Sequence, residues 1–209
     1  MNDYSLILKK ITFRGGSMKS EKIEGVVLSA GKSTRMGKFK MTLPLGDKSI
    51  IQHSVESMYD VCDRIIVVTG YEAEQIHNAL KNYDKIELVN NPDYERGMFS
   101  SVKVGISRVK GARFFLLPGD CPSIPSYVYL KMIKIEDKIV VPAYRGKNGH
   151  PVLIDSELIP QILNEPENSN LKFFINRVGY STVEIDEKCI IMDIDDIQDY
   201  ERAKTKYTR

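Results

Sequence analysis

Short apolar runs of strand length alternate along the chain with stretches of helical spacing. Residues 26–28, 64–69, 86–89 and 113–117 are near-continuous apolar runs, rich in β-branched and aromatic residues. Such runs suit strands buried on both faces of a parallel sheet. Between them, residues 49–60 place Ile50, Ile51, Val55 and Met58 on one helical face, with His53 mid-helix as a structural hydrogen-bonding group, and residues 73–80 form the next helix. A helix is predicted after Gly97, others at 126–135, 155–163 and 171–177, strands at 138–141 and 180–185, and a last helix capped by Asp196. The alternation predicts an α/β fold: a doubly wound, mostly parallel sheet covered by helices on both faces. In such a sheet, ligands bind at the carboxyl ends of the strands.

Composition narrows the partners. The chain has 209 residues, enough for one well-buried domain, and its formal net charge of +2 implies neither a nucleic-acid nor a membrane partner. No apolar run reaches membrane-spanning length. The three cysteines, Cys62, Cys121 and Cys189, are isolated and form no Cys-x-x-Cys pair. They read as reduced thiols of a cytoplasmic protein. Residues 1–17 fit the rest poorly and contain no signal-peptide core. Arg14-Gly15-Gly16 just before Met18 reads like a translated ribosome-binding site. These residues are expected to be a disordered or artefactual extension ahead of a single domain, 18–209.

The stretch with the most chemistry runs from Gly25 to Lys40. A buried strand breaks into Ser29, Ala30 and Gly31, then come Lys32, Arg35, Lys38 and Lys40 with no acid among them. Backbone N–H groups in a small-residue turn, backed by cations, are what a polyphosphate needs. The Gly31-Lys32-Ser33 sequence is not a P-loop, because Val26 stands where that motif requires glycine. Further on, Asn90-Asn91-Pro92 marks a turn before Gly97 and a helix that starts near Ser100 and Ser101. Asp120 follows the 113–117 strand, flanked by Gly119 and Pro122, a place suited to holding a metal beside phosphates. Asp193 and Asp195 point the same way on an extended backbone.

The ordered combination Leu28-Ser-Ala-Gly-x-Ser-x-Arg-Met-Gly-x-x-Lys40, then Leu43-Pro-Leu, resembles the signature of the MobA-like nucleotidyltransferases, most of all the molybdenum cofactor cytidylyltransferases. Gly97-Met98 with its serines, Asp120-x-Pro122, Gly149-His150-Pro151 and the Asp193–Tyr200 run match in the same order. The resemblance spans about residues 25–200. It implies a Rossmann-like three-layer fold and a Mg²⁺-dependent transfer of a nucleoside monophosphate, from CTP, to a phosphorylated acceptor. That acceptor would be molybdopterin, the product passing to a molybdoenzyme that receives the cofactor. By the same resemblance, the backbone of Ala30, Gly31, Lys32, Ser33 and Thr34 cradles the triphosphate, Arg35 binds its outer phosphates and Lys40 its α-phosphate. Leu28, Ser29, Gly70, Asn91, Gly97, Ser100 and Ser101 complete the nucleotide site. Asp120 holds Mg²⁺ with Asp193 or Asp195, and His150, Tyr144 and Arg145 meet the acceptor. Two departures stand out: Cys121, where many relatives carry Gln, and the 165–172 stretch, where the family's Gly-Asp-x-Gly-Ala-Arg run is replaced. That replacement leaves open another acceptor, such as a sugar phosphate or phosphocholine. A GTP-using enzyme and a non-catalytic nucleotide-binding protein also remain open.

Overall fold

A computed structural model of the chain describes residues 22–122 and 124–207. The expected extension, residues 1–17, lies outside the described residues. Strand β1 (Ile23–Leu28) is buried along its whole length. The Thr34–Met36 3-10 turn and a small hairpin, β2 (Pro44–Leu45) and β3 (Lys48–Ser49), lead to helix α1 (Ile50–Tyr59). Next come β4 (Arg64–Thr69), α2 (Ala73–Leu80), β5 (Ile86–Asn90), a 3-10 turn at Tyr94–Arg96, α3 (Met98–Ile106) and β6 (Arg113–Pro118). The remainder is α4 (Ser126–Ile133), β7 (Ile139–Tyr144), β8 (Lys147–Asn148), β9 (Val152–Asp155), α5 (Ile159–Leu163), α6 (Leu171–Val178), β10 (Ser181–Glu184) and α7 (Ile197–Tyr207).

The continuous apolar runs follow from burial on two sides. Val26, Leu28, Ile66, Val68, Phe114 and Leu116 pack on one face, with Val102 and Ile106 of α3 and Phe174 of α6. Their neighbours Val27, Ile65, Val67, Phe115 and Leu117 pack on the other, with Val55 and Met58 of α1, Ile76 of α2 and Met132 of α4. Period-two alternation thus feeds two cores, and three layers result. Strands run in the order β10-β7-β9-β6-β1-β4-β5, with β8 beside β7. β5, β4, β1 and β6 are mutually parallel. The chain winds outward from β1 to β4 and β5, then returns to place β6 on β1's other side. The switch point lies between β1 and β6, where a doubly wound sheet opens a crevice. No helix among the described residues is long and apolar enough to cross a membrane.

The predicted elements hold with two corrections. Residues 155–163 are not one helix. Val152–Asp155 is an antiparallel strand inserted between β6 and β7, a 3-10 turn follows, and α5 begins only at Ile159. Three apolar residues between Pro151 and Asp155 carry too little periodicity to distinguish strand from helix. The strand expected at 138–141 continues through Pro142 to Tyr144. On one edge β9 pairs at Ile139 and Val140 and β8 from Ala143, so Pro142 lies in the gap between those two ladders; on the other edge β10 runs alongside, with Val183 opposite Pro142. His53 meets its structural expectation: its Nε2 lies 2.7 Å from the Leu45 carbonyl oxygen.

Helix α3 approaches the sheet where only glycine fits. A Cβ at Gly105 would lie 2.5 Å from Val26 Cγ1 and 2.8 Å from Val68 Cγ2, both on central strands. Gly105→Val is therefore expected to push α3 outward and destabilise the protein by about 1–3 kcal/mol, the usual cost of overpacking. Denaturant unfolding measures the loss, and unchanged stability would contradict the close packing.

Candidate active site

The loop after β1 is pinned from below. The Ser29 backbone N–H and hydroxyl both donate to the Val68 carbonyl, at 2.9 and 2.8 Å. The Tyr71 N–H donates to the Ala30 carbonyl, and Gly70 packs directly behind Ala30. Ser33 then turns with φ +55°, which ends the extended run and starts the Thr34–Met36 turn. Its hydroxyl accepts from the Lys40 N–H at 3.3 Å. Met36 is the loop's apolar anchor, buried with Leu45, Ile50, Ile194 and Tyr200.

Lys40 is the centre of the site. Its Nζ lies 2.6 Å from Asp120 Oδ2, 2.8 Å from the Ile194 carbonyl oxygen and 3.3 Å from Asp195 Oδ1. Arg35 reaches the other side of the same carboxylate, with Nη1 2.8 Å from Asp195 Oδ2. Asp120 stands just past β6, in the crevice at the switch point, where the Gly119 N–H donates to the Leu28 carbonyl at 2.8 Å. The 193–196 backbone is held there by two devices. The Ile194 N–H donates to the Asp120 carbonyl at 3.0 Å. Asp196 accepts from the N–H groups of Gln198 and Asp199, while Asp199 accepts from those of Asp195 and Asp196. This reciprocal capping box confirms Asp196 as the N-cap of α7. Asp193 forms no ion pair among the described residues, and its carboxyl is raised above the ordinary aspartate value by burial and by the Asp195 and Asp120 charges.

Helix α3 carries the second wall. Gly97 takes φ +101°, a conformation that side chains resist, and turns the chain into Met98 and Phe99. Asn91 is buried and faces away from the crevice. Its Nδ2 donates to the Ser100 and Ser101 hydroxyls, each at 2.9 Å, and its Oδ1 accepts from the Asp93 N–H. Ser100 in turn donates to the Gly97 and Asp93 carbonyls. Asn91 and Ser100 thus lock the helix start, and Ser101 is the serine that reaches the crevice.

Two cavities adjoin. A polar one of about 320 Å³ is lined by Leu28, Ala30, Gly31, Ser33, Thr34, Arg35, Lys40, Gly97, Ser101, Asp120 and Asp195. A larger, mostly apolar one of about 440 Å³ is lined by Phe99, Val102, Leu116, Val141, His150, Leu171, Ile175 and Tyr180, among others. Leu28, Met98 and Pro118 line both. His150 presents a buried Nδ1 that has no hydrogen-bond partner among the described residues. Burial lowers its pKa below the ordinary histidine value, the Asp120 and Asp193 charges opposing in part, so the ring is neutral at pH 7.

Of the residues expected at the site, Ser29, Gly70, Asn91 and Ser100 support it from behind. Lys32 is turned outward into an ion pair with Glu95 of the Tyr94–Arg96 turn. Tyr144 and Arg145 line neither cavity; the guanidinium stacks over the ring at 5.1 Å, at the tip of the β7–β8 turn. Asp193 also lines neither. The apolar cavity wall from α3 and α6 escaped sequence reasoning, since Phe99, Leu171 and Ile175 have the spacing of core residues. In the structure the mark of this wall is Met98, an apolar residue beside Gly97 that stays 67% exposed.

Asp193 generates a pH prediction. Its pKa in the folded protein exceeds that in the unfolded chain, so the folded state binds the proton more tightly. Its charge therefore costs stability at pH 7, and that cost is relieved as pH falls through the raised pKa toward the ordinary value of 3.8. In EDTA, Asp193→Asn is expected to melt above the wild type at pH 7, with the gap closing on acidification. Equal Tm values at pH 7 would contradict the repulsion.

Comparison with known proteins agrees with this geometry. The family model of the MobA-like NTP transferase domain matches residues 25–183. The molybdenum cofactor cytidylyltransferase of Escherichia coli is 33% identical over 187 residues, covering 89% of this chain and 97% of that protein. A nucleotidyl transferase of Methanothermobacter superposes with a TM-score of 0.79 at 23% identity, covering 90% of this chain and 98% of that one. A Mycobacterium tuberculosis protein solved in complex with manganese superposes at 0.71 and 22% identity, covering 88% and 98%. The last two establish the shared fold. With a family model over most of its length and so similar a relative, the chain belongs to the MobA-like NTP transferases, a family of nucleotidyltransferases.

Proposed function

We propose that this nucleotidyltransferase is a Mg²⁺-dependent cytidylyltransferase that joins CMP, from CTP, to the terminal phosphate of molybdopterin or its molybdenum form. The observation that carries the reading is the pair of cavities with a shared floor of Leu28, Met98 and Pro118, the polar one holding Lys40, Asp120 and Asp195. A polar cavity lined by the β1 loop suits a triphosphate. The adjoining apolar cavity suits a flat heterocycle whose phosphate reaches across the floor. The similarity to the Escherichia coli cytidylyltransferase supports the choice of base and acceptor.

In this reading the backbone of residues 30–34 faces the triphosphate, Arg35 the outer phosphates and Lys40 the α-phosphate. Asp120 and Asp195 hold Mg²⁺, and Asp195 is preferred to Asp193 because it lines the polar cavity and shares Lys40 with Asp120. The donor set fits that ion. Among the described residues no three or more His, Cys, Asp or Glu side chains form a complete metal cage. Mg²⁺ takes one or two carboxylates and completes its shell with phosphate oxygens and water. The cation already lying between these two carboxylates is the Lys40 ammonium. Bound there, Mg²⁺ supplies charge neutralisation to the triphosphate.

The reaction needs little else. An acceptor phosphate oxygen attacks the α-phosphorus, a new P–O bond forms, and the bond to the bridging oxygen breaks to release pyrophosphate. The attacking phosphate is already an anion at neutral pH, so positioning and charge carry the catalysis. His150, whose Nδ1 has no partner among the described residues, offers a ring nitrogen for a hydrogen bond with the heterocycle. The buried thiols Cys62, Cys121 and Cys189 suit a reducing, cytoplasmic setting, from which a molybdoenzyme would receive the product.

A ligand that binds the native state raises its melting temperature. CTP with Mg²⁺ is expected to raise Tm, and GTP, UTP, ATP and dTTP to do so less. A larger rise with GTP would move the assignment to a guanylyltransferase. Asp120→Asn and Lys40→Ala are each expected to lower CMP transfer about 100- to 1000-fold, the usual cost of one preorganised charge at a reacting group. A fully active Asp120→Asn enzyme would overturn the site.

A further inference from the structure

Every donor of the Lys40 ammonium is taken by an oxygen of the protein itself. An ammonium has three N–H groups. Its Nζ meets three oxygens: Asp120 Oδ2, the Ile194 carbonyl and Asp195 Oδ1, at 2.6, 2.8 and 3.3 Å. Only 8% of its side chain is exposed, so it cannot turn to water instead. Arg35, the other cation of the polar cavity, is paired with Asp195. Each cation assigned to the nucleotide is thus bound to an acid assigned to the metal.

Charge balance explains the arrangement. A buried charge is tolerated only when paired, and here the buried charges are those of Lys40 and Asp120, while Arg35 is mostly exposed. Asp120, Asp193 and Asp195 against Lys40 and Arg35 leave one negative charge. A divalent cation on the carboxylates would leave the same balance while freeing both side-chain cations for phosphates.

We propose that Lys40 is an exchangeable counter-ion. It holds Asp120 and Asp195 together until a divalent cation takes them, and only then turns to the nucleotide. The inference rests on the metal and phosphate roles proposed above, and it adds a coupling between them. Before either ligand binds, Lys40 competes with the metal for the carboxylates, and the carboxylates compete with the nucleotide for Lys40. Each ligand removes the other's competitor, so the coupling is reciprocal.

Because a nucleotide chelates metal in solution, the test uses one ligand at a time. Mn²⁺ binding without nucleotide is read from the electron paramagnetic resonance signal of the free ion. CTP binding in EDTA is read by calorimetry. Lys40→Met keeps the stem and removes the charge, and is expected to bind Mn²⁺ about 5- to 150-fold more tightly than the wild type, the usual range of site coupling. Asp120→Asn is expected to bind CTP in EDTA more tightly, although it has lost a metal ligand. Far-UV circular dichroism verifies that both variants fold. Wild-type CTP binding in the presence of Mn²⁺, with neither single-ligand affinity raised in the variants, would overturn the exchange alone. Failure of the wild type to bind CTP even with Mn²⁺ would overturn the functional reading, and the exchange with it.

Discussion

One buried ammonium joins the parts of the chain that make the site. Lys40 comes from the loop after β1, Asp120 from the end of β6 and Asp195 from the approach to α7. These segments are 80 and 155 residues from Lys40 in sequence. Nothing local brings them together. The sheet does so by putting β6 beside β1, and the Gly119 N–H bond to the Leu28 carbonyl closes the gap between the strand ends. α7 completes the arrangement through its capping box and through Tyr200, buried against Met36, Leu45 and Ile194. A carboxylate left without Lys40 would be a half-buried charge facing two others, as the raised pKa of Asp193 illustrates.

The parallel half of the molecule is legible in the amino-acid pattern, for a physical reason. Strands buried on both faces must be apolar at every position, and 64–69 and 113–117 have no other reading. The signature loop is legible because it packs small residues and cations together, which no core element does. The antiparallel half is less legible. β9 is three apolar residues and an aspartate, and its identity depends on β6 and β7 both offering it free edges. Pro142 reads as a strand terminator in sequence, yet it lies within β7, between the β9 and β8 ladders on one edge and opposite Val183 of β10 on the other.

The same limit applies within the site. Asp120 and Lys40 are identifiable by type and position, but their ion pair is not, since sequence places residues in loops and not atoms in contact. Asn91 shows the opposite error. An Asn in a nucleotide-site motif suggests a ligand contact, whereas its amide is spent on Ser100 and Ser101. Burying an amide is tolerable only when its hydrogen bonds are made, and two hydroxyls and a backbone N–H make them. The residue supports the site by fixing where α3 begins.

The antiparallel strand also explains why there are two cavities. β9 lies between β6 and β7 and widens the sheet beyond the switch point, so α3 and α6 cover a broader apolar floor than β1 and β6 alone would offer. The segment entering β9 is held by the Gly149 N–H to the Pro142 carbonyl and by the His150 N–H to the Ile190 carbonyl. Those two bonds fix the His150 ring in the wall of the apolar cavity, close enough for the Asp120 and Asp193 charges to act on it. The C-terminal segment that presents Asp195 to Lys40 is therefore continuous with the one that positions His150. Changes in the 188–195 backbone must reach both cavities, which ties the shape of the acceptor side to the charge arrangement of the nucleotide side through covalent connection.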